Sequence, residues 1–371
     1  MAITRAFKNA PHQRRRQVPL VINGDMQIAQ RGTADVTGLG DGDEGYVLHD
    51  RMRHTLEAGA GRYTCKQTAD APSDSGFSNC LELDCTTADT SIAATEVFNI
   101  DYRMEGQDLQ YLKYGTSDAE YLTVGFWMKA DAAVVYSVGF IEIDNSRSIR
   151  QVFTTGTDWT YHCIPFIGDT VSGPNNDIGE GLRLRFTFHG GSNFTSGTLA
   201  TAWQATTAAN THVGGGSFFA STDRSIKMTG LQLERGYFTA ETMPEFQFQS
   251  RIDNLRRCQR YFHIGVGLDG NTTGFANGSF RTNATAQILH QFPVSMRTDP
   301  TATQIATDNI IAHDTADGNN INVDSIESIL FNCENNIIVQ YTLEGTAAGA
   351  GDGCYVYPTG STPGIKFEAE L

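Results

Sequence analysis

Glu142 and Asp144 stand two residues apart at the end of a stretch, Val134 to Ile143, that alternates like a strand. Two carboxyls on one strand face have the right sort of spacing for glycoside cleavage, which places two acids roughly 5 to 9.5 Å apart across the scissile bond. Acids so placed also serve as a solvated edge or a turn entry. Other reaction chemistry lacks sequence support: there is no G-x-S-x-G elbow, no H-E-x-x-H, no Walker A and no G-x-G-x-x-G entering a helix. The seven cysteines have no C-x-x-C spacing, which argues against zinc and dithiol redox chemistry and for free thiols. The run Gly38 to Gly45 offers Asp41, Asp43 and Glu44 without the loop spacing that sets calcium ligands, so it reads as a solvated turn. The histidines are scattered; His49 and His54 read as surface or packing residues.

Recognition chemistry is better supplied. A flat aromatic stacks on the apolar face of a pyranose while nearby amides or carboxylates take its hydroxyls. Trp203, in TAWQATT, is the leading platform because its polar surroundings do not demand a buried indole. Trp127 lies between Phe126 and Met128 in an alternating strand and reads as core packing or as a platform. Trp159 follows a T-G-T-D turn and suits either role. Tyr111 and Tyr114, in LQYLKYG, offer a second platform or a contact between subunits.

The elements that must position these residues are strands. Short alternating runs rich in Val, Ile, Phe, Tyr and Thr recur along the chain, among them Leu20 to Ile22, Tyr121 to Lys129, Tyr161 to Phe166, Gly181 to His189 and Ser225 to Glu234. Gly, Asn, Asp and Ser clusters separate them, and glycine reaches 38 of 371 residues, so the expected class is all-β, sandwich or barrel. One segment, residues 245–262, has helical spacing, with Phe248, Ile252, Leu255 and Cys258 on one side and arginines on the other. It is expected to link a first domain over 18–244 to a smaller C-terminal β-sandwich over 263–371.

Charge and hydropathy narrow the partners. With 42 acidic against 27 basic side chains the net charge is −15, which argues against a nucleic-acid partner. Apolar runs such as Tyr121 to Phe126 fall far short of the ~20 residues that span a bilayer, so no membrane insertion is expected. Residues 1–17 carry Arg5, Lys8, Arg14, Arg15 and Arg16 with no apolar core of a secretory signal. They read as a basic arm that orders on a neighbouring subunit, or as a frayed tail.

Several phrases, in order, resemble a family of bacteriophage virion proteins of the tail or head-fibre type. They are LVINGDMQIAQRGT, YVLHDRMR, LTVGFWMKA, the segment from Trp159 to His162, LRLRFTFHGGSNF, MTGLQLERGYFTAETMPEFQFQSRIDNLRRCQRYF and FPVSMRTDPTAT. The likeness spans roughly residues 18 to 303, with the Q-L-E-x-G to C-Q-R-Y-F stretch its most specific part. It departs at Met52, where an aromatic is more usual, and at Asn254, where an acid is. The resemblance implies a carbohydrate-binding-module-like jelly roll over 18–244 in a non-enzymatic virion protein, located in the phage particle and assembled in the host cytoplasm. The role expected first is a fibre or adhesin component that binds host surface polysaccharide; the alternatives are a capsid decoration protein and a polysaccharide-degrading tail enzyme.

It further implies other virion subunits as partners and a homotrimer. In that arrangement Phe248, Ile252 and Leu255 pack about the threefold axis, with Arg256 and its neighbours against acidic surfaces; alternatively the helix clamps two domains of one monomer. Jelly-roll modules often carry a structural Ca²⁺ joining the first and last strands, and Asp25 and Glu234 occupy matching ends. The competing reading is hydrogen bonding of these carboxylates to turn amides. No other cofactor is expected.

Overall fold

The computed structural model describes residues 18–265, 274–305, 310–345, 349–358 and 364–371; the basic arm expected over 1–17 lies outside them. The all-β expectation holds. Two antiparallel sheets face each other across the first core. From edge to edge, one consists of Val36–Leu39, Arg62–Thr68, Cys80–Thr87, Ser225–Arg235, Leu122–Ala130 and Thr160–Phe166. The other runs Gln204–Ala205, Arg147–Thr154, Val135–Glu142, Glu180–Gly190, Val97–Glu105, Arg53–Glu57 and Gly45–Tyr46. Strand alternation builds the core: Leu122, Val124, Phe126 and Met128 point in from the six-stranded sheet, and Ile100, Tyr102, Leu184 and Phe186 meet them from the seven-stranded one.

In Ser225–Arg235 the register against Leu122–Ala130 shifts between Thr229 and Gln232. Gly230 takes φ 65 there, a conformation that side chains rarely adopt, so that Met228 and Leu231 both reach the core. The expected strand at Leu20 to Ile22 is instead a buried bend leading into a turn, in which Asn23 sits at φ 61. The side chain of Asn23 donates to the carbonyls of Ile28 and Asp50 and accepts from the Ile28 amide, replacing ladder hydrogen bonds with local ones.

The helix is shorter than its apolar spacing predicts, covering Arg251–Gln259. Ser250 caps it by accepting from the Asp253 amide. Upstream, Phe248 leaves the helical path to join Phe77 and Phe246, with ring centroids 4.9–5.0 Å apart. Of the expected stripe only Cys258 is fully buried, beside Asn254, which the stripe did not include; Leu255 is half-buried, and Phe248 and Ile252 are 48% and 62% exposed. Arg257 donates to Gln249 and to the Pro19 carbonyl, and Arg260 grips Glu105 through two hydrogen bonds of 2.8 Å. Those two arginines are spent within the chain. Arg251 and Arg256 are exposed.

Where a second sandwich is expected, the C-terminal part closes into a six-stranded barrel, Ala276–Thr282, Thr285–Gln291, Asn336–Leu343, Asn320–Cys333, Ile310–Asp314 and Gly353–Pro358, beside a small sheet of Phe262–Gly265, Ile365–Glu368 and Thr301–Gln304. The reason lies in the 14-residue strand Asn320–Cys333, whose register against Asn336–Leu343 slips at three places. Such bulges bend a sheet and let it close. Charged contacts tie this part to the first core: Arg31 and Arg51 both reach Glu370, and Arg103 donates to the Leu371 carbonyl.

Candidate functional site

The outer face of the six-stranded sheet carries the aromatic residues. Register pairs Trp127 with Tyr161 across neighbouring strands, with ring centroids 5.3 Å apart and planes tilted by 47°. Phe126 turns inward, so Trp127 must turn outward; the core reading for Trp127 fails on this alternation. Together with Phe77, Gln232, Met243, Glu245, Phe246 and Phe248, these two rings line a cleft of about 370 Å³. Gly230 forms part of its floor, where an added Cβ would lie 2.7 Å from Phe77 and 3.0 Å from Trp127. Gln232 donates to the Tyr161 hydroxyl at 3.1 Å and to the Pro244 carbonyl at 3.0 Å, which fixes the phenol ring in place.

Trp159 lies just before the same edge strand and on the same face. Its Nε1 donates to Asp70, which also receives Lys129 and Lys227. These donors, Lys227 foremost, hold the Asp70 carboxyl down at about 2. Aromatic rings, an amide, two ammonium groups and carboxylates thus share one sheet surface. That is the equipment for stacking on a sugar ring and sorting its hydroxyls.

The other sequence candidates lie elsewhere. Trp203 is not an open platform: it is half-buried against the first core, its Nε1 donates to the Ile167 carbonyl at 2.6 Å, and it meets Tyr114 edge-on at 5.8 Å. Tyr114 and Tyr111 also pack on that core, and the Arg235 guanidinium lies over the Tyr111 ring. The structure therefore sets Trp127 and Trp159 on one sheet face, with Trp127 in the cleft and Trp159 at Asp70, and places Trp203 with Tyr114 away from them. Tyr161, Phe77, Phe246 and Gln232 escaped sequence reasoning. The Trp127–Tyr161 pairing spans two strands, and no local pattern encodes it.

The carboxylate pair dissolves into turn chemistry. Glu142 accepts from the amides of Asp144 and Asn145, while Asp144 accepts from the amide and side chain of Asn175. In the Gly38–Gly45 run, Asp43 and Asp41 accept amides of Gly40 and Ala58, and Glu44 pairs with Arg53. All seven cysteines are free.

Asp25 and Glu234, by contrast, do converge. Both line a cavity of about 20 Å³ between the Asn23–Asp25 turn and Leu231–Glu234, with Asn254 at its wall. Asp25 is 2% exposed and accepts from Asn254 Nδ2 at 3.1 Å. Burial raises its carboxyl above the usual range, against backbone hydrogen bonds and Asn254 that lower it. Hard carboxylate oxygens at a space of this size suit a Ca²⁺ ion, and the same contacts also satisfy the turn.

No family model matches the chain, and no curated protein matches it. Among solved structures, it is similar to the enzymatically active domain of tailspike protein 4 of bacteriophage CBA120, with 12% identity over 59% of this chain and a TM-score of 0.31. The chain spans only 21% of that tailspike. It is also similar to the family 11 carbohydrate-binding module of a Clostridium thermocellum cellulosomal cellulase, with 12% identity, 56% of this chain and 99% of the module covered, and a TM-score of 0.28. A third is a sugar-binding protein from Bacteroides thetaiotaomicron, at 9% identity, 58% and 99% coverage, and a TM-score of 0.28. At this level of likeness no property of those proteins transfers to the chain.

Proposed function

We propose that this chain is a non-enzymatic component of a bacteriophage particle that binds host surface glycans through the cleft on its six-stranded sheet. The observation that carries the glycan reading is the Trp127–Tyr161 pair lining a cleft beside Gln232 and Glu245. The particle role rests on the sequence phrases that resemble phage virion proteins, with a fibre favoured over capsid decoration. Retention of the full chain on immobilised host polysaccharide tests the first part. Retention that is lost in Trp127→Ala supports the cleft, and retention that survives the substitution removes it. Reducing ends that accumulate during incubation would make the chain a polysaccharide-degrading enzyme instead.

A homotrimer through exposed Ile252, with Leu255 and Arg256 alongside and Phe248 kept by the cleft, belongs to the same proposal, and mass in solution at micromolar concentration decides it. So does a Ca²⁺ ion held by Asp25 and Glu234, which would join the first turn of the sandwich to its last strand. Calcium that raises the melting temperature of the wild type, and not of Asp25→Asn, supports the ion; no change leaves these groups as a hydrogen-bonded latch.

A further inference from the structure

The cleft on the six-stranded sheet holds more than its Trp127–Tyr161 pair. Phe77, Phe246 and Phe248 line it too, with ring centroids 4.9–5.0 Å apart and planes turned 49–71° from one another. Gly230 joins the two groups of rings, since a Cβ added there would strike both Phe77 and Trp127. None of the five rings is buried: Phe248 is 48% exposed and the other four are half-buried. Aromatic surface gathered in one cleft and left open to water marks a place where something binds.

Charge around these rings has one sign. No Lys, Arg or His lines the cleft, and Glu245 is its single charged residue. Glu245 is exposed and has no ion pair or hydrogen bond among the described residues. Lys129 and Lys227, on the same sheet face, are held by Asp70. An aromatic face carries the negative part of the ring quadrupole, so the rings and the carboxylate act together on a cation. The field of a chain at −15 adds to that attraction.

We propose that the cleft seats a quaternary ammonium group of the choline type, carried by the glycan. A flat pyranose matches one flat ring, whereas neighbouring rings tilted by 47–71° surround a rounded group. A primary ammonium would need acceptors for three N–H donors. The Pro244 carbonyl is already taken by Gln232, which leaves Glu245 as the one carboxylate of the lining. A quaternary nitrogen has no N–H to satisfy, and its methyl groups suit apolar walls. At about 370 Å³ the cleft falls within the roughly 300–1,000 Å³ of small-molecule sites. That a glycan carries the group rests on the reading above; the choice of an ammonium rests on the lining alone.

The experiment is calorimetric titration of the full chain with choline, with ethanolamine and with the uncharged tert-butyl analogue of choline, which keeps its shape. Choline should bind at least roughly tenfold more tightly than either of the others. Glu245→Gln, at an exposed position, should keep the melting temperature and weaken choline about threefold or more. Trp127→Ala should weaken choline at least roughly tenfold, and Trp127→Phe, which keeps a ring, should fall between it and the wild type. Absence of choline binding, or binding of the uncharged analogue as tight as that of choline, overturns the inference. Ethanolamine binding as tightly as choline overturns the quaternary assignment. Polysaccharide retention that depends on Trp127 without any choline binding also overturns it, and leaves the glycan reading standing. Choline binding by a chain that no polysaccharide retains supports the ammonium site and counts against the glycan reading.

Discussion

Trp127 and Trp203 have opposite fates because one projects from a sheet face and the other packs against the core. Trp203→Ala should cost about 2–3 kcal/mol of unfolding free energy, seen in urea titration, and leave glycan retention unchanged, since the indole fills core-facing space and satisfies the Ile167 carbonyl. Trp127→Ala should do the reverse. Gly230→Ala is the sharper test of the cleft's shape: the new Cβ would strike Phe77 and Trp127 at a φ of 65. It should destabilise by about 1–2 kcal/mol and weaken retention as well. Alternation along Leu122–Ala130 makes it legible from sequence that one of Phe126 and Trp127 faces out. Which residue Trp127 meets across the sheet is not legible, because register is a long-range property set by the bulge at Gly230 and the pairing with Thr160–Phe166.

At the scale of elements, the helix shows how a polar pair can decide docking. Asn254 accepts from the Asn23 amide at 2.9 Å and donates to Asp25, two bonds that seat Arg251–Gln259 on the opening turn. Asn254→Leu would leave the buried Asp25 carboxyl short of a donor and should cost about 2–3 kcal/mol in a chemical-denaturation curve. Ser250→Ala removes only the cap and should cost about 1 kcal/mol, with hydrogen exchange quickening in the first helical turn. The amphipathic spacing that announces this helix overstates its length; it finds Cys258 on the buried face but misses Asn254 and wrongly adds Phe248 and Ile252. Phe248 finds aromatic partners in Phe77 and Phe246, and such a cluster of distant segments leaves no periodic trace.

For the whole molecule, buried histidines set the response to acid. His49, His54 and His290 are pushed down to about 3, and His212 and His263 to about 4, in each case by burial first. A depressed folded value means that the neutral form is kept in the native state, so their contribution is present above pH ~6.5 and is lost as pH falls toward the folded values. Each is worth on the order of 1 kcal/mol per pH unit within that window. Asp50 works the other way. Burial raises it to about 6, against the pull of Arg31 and Gln30, so its contribution is present below its ordinary value of 3.8 and lost as pH rises through 6. Five groups outweigh one, and thermal melts should fall steeply from pH ~6.5 to ~4. Asp50→Asn removes the opposing contribution and should steepen that fall; a flat profile would count against the buried, neutral histidines.

Composition and alternation by themselves determined the all-β class, the outward turn of one residue in each alternating pair, and the presence of an amphipathic helix near residue 250. These follow from local rules, in which each residue's direction depends on its immediate neighbours. The tertiary structure alone decided that the second unit closes as a barrel, and that Trp127 meets Tyr161 while Trp203 is sequestered. Each of those depends on which strands become neighbours and in what register. That choice is made by the packing of the whole core, not by any stretch of chain read in isolation.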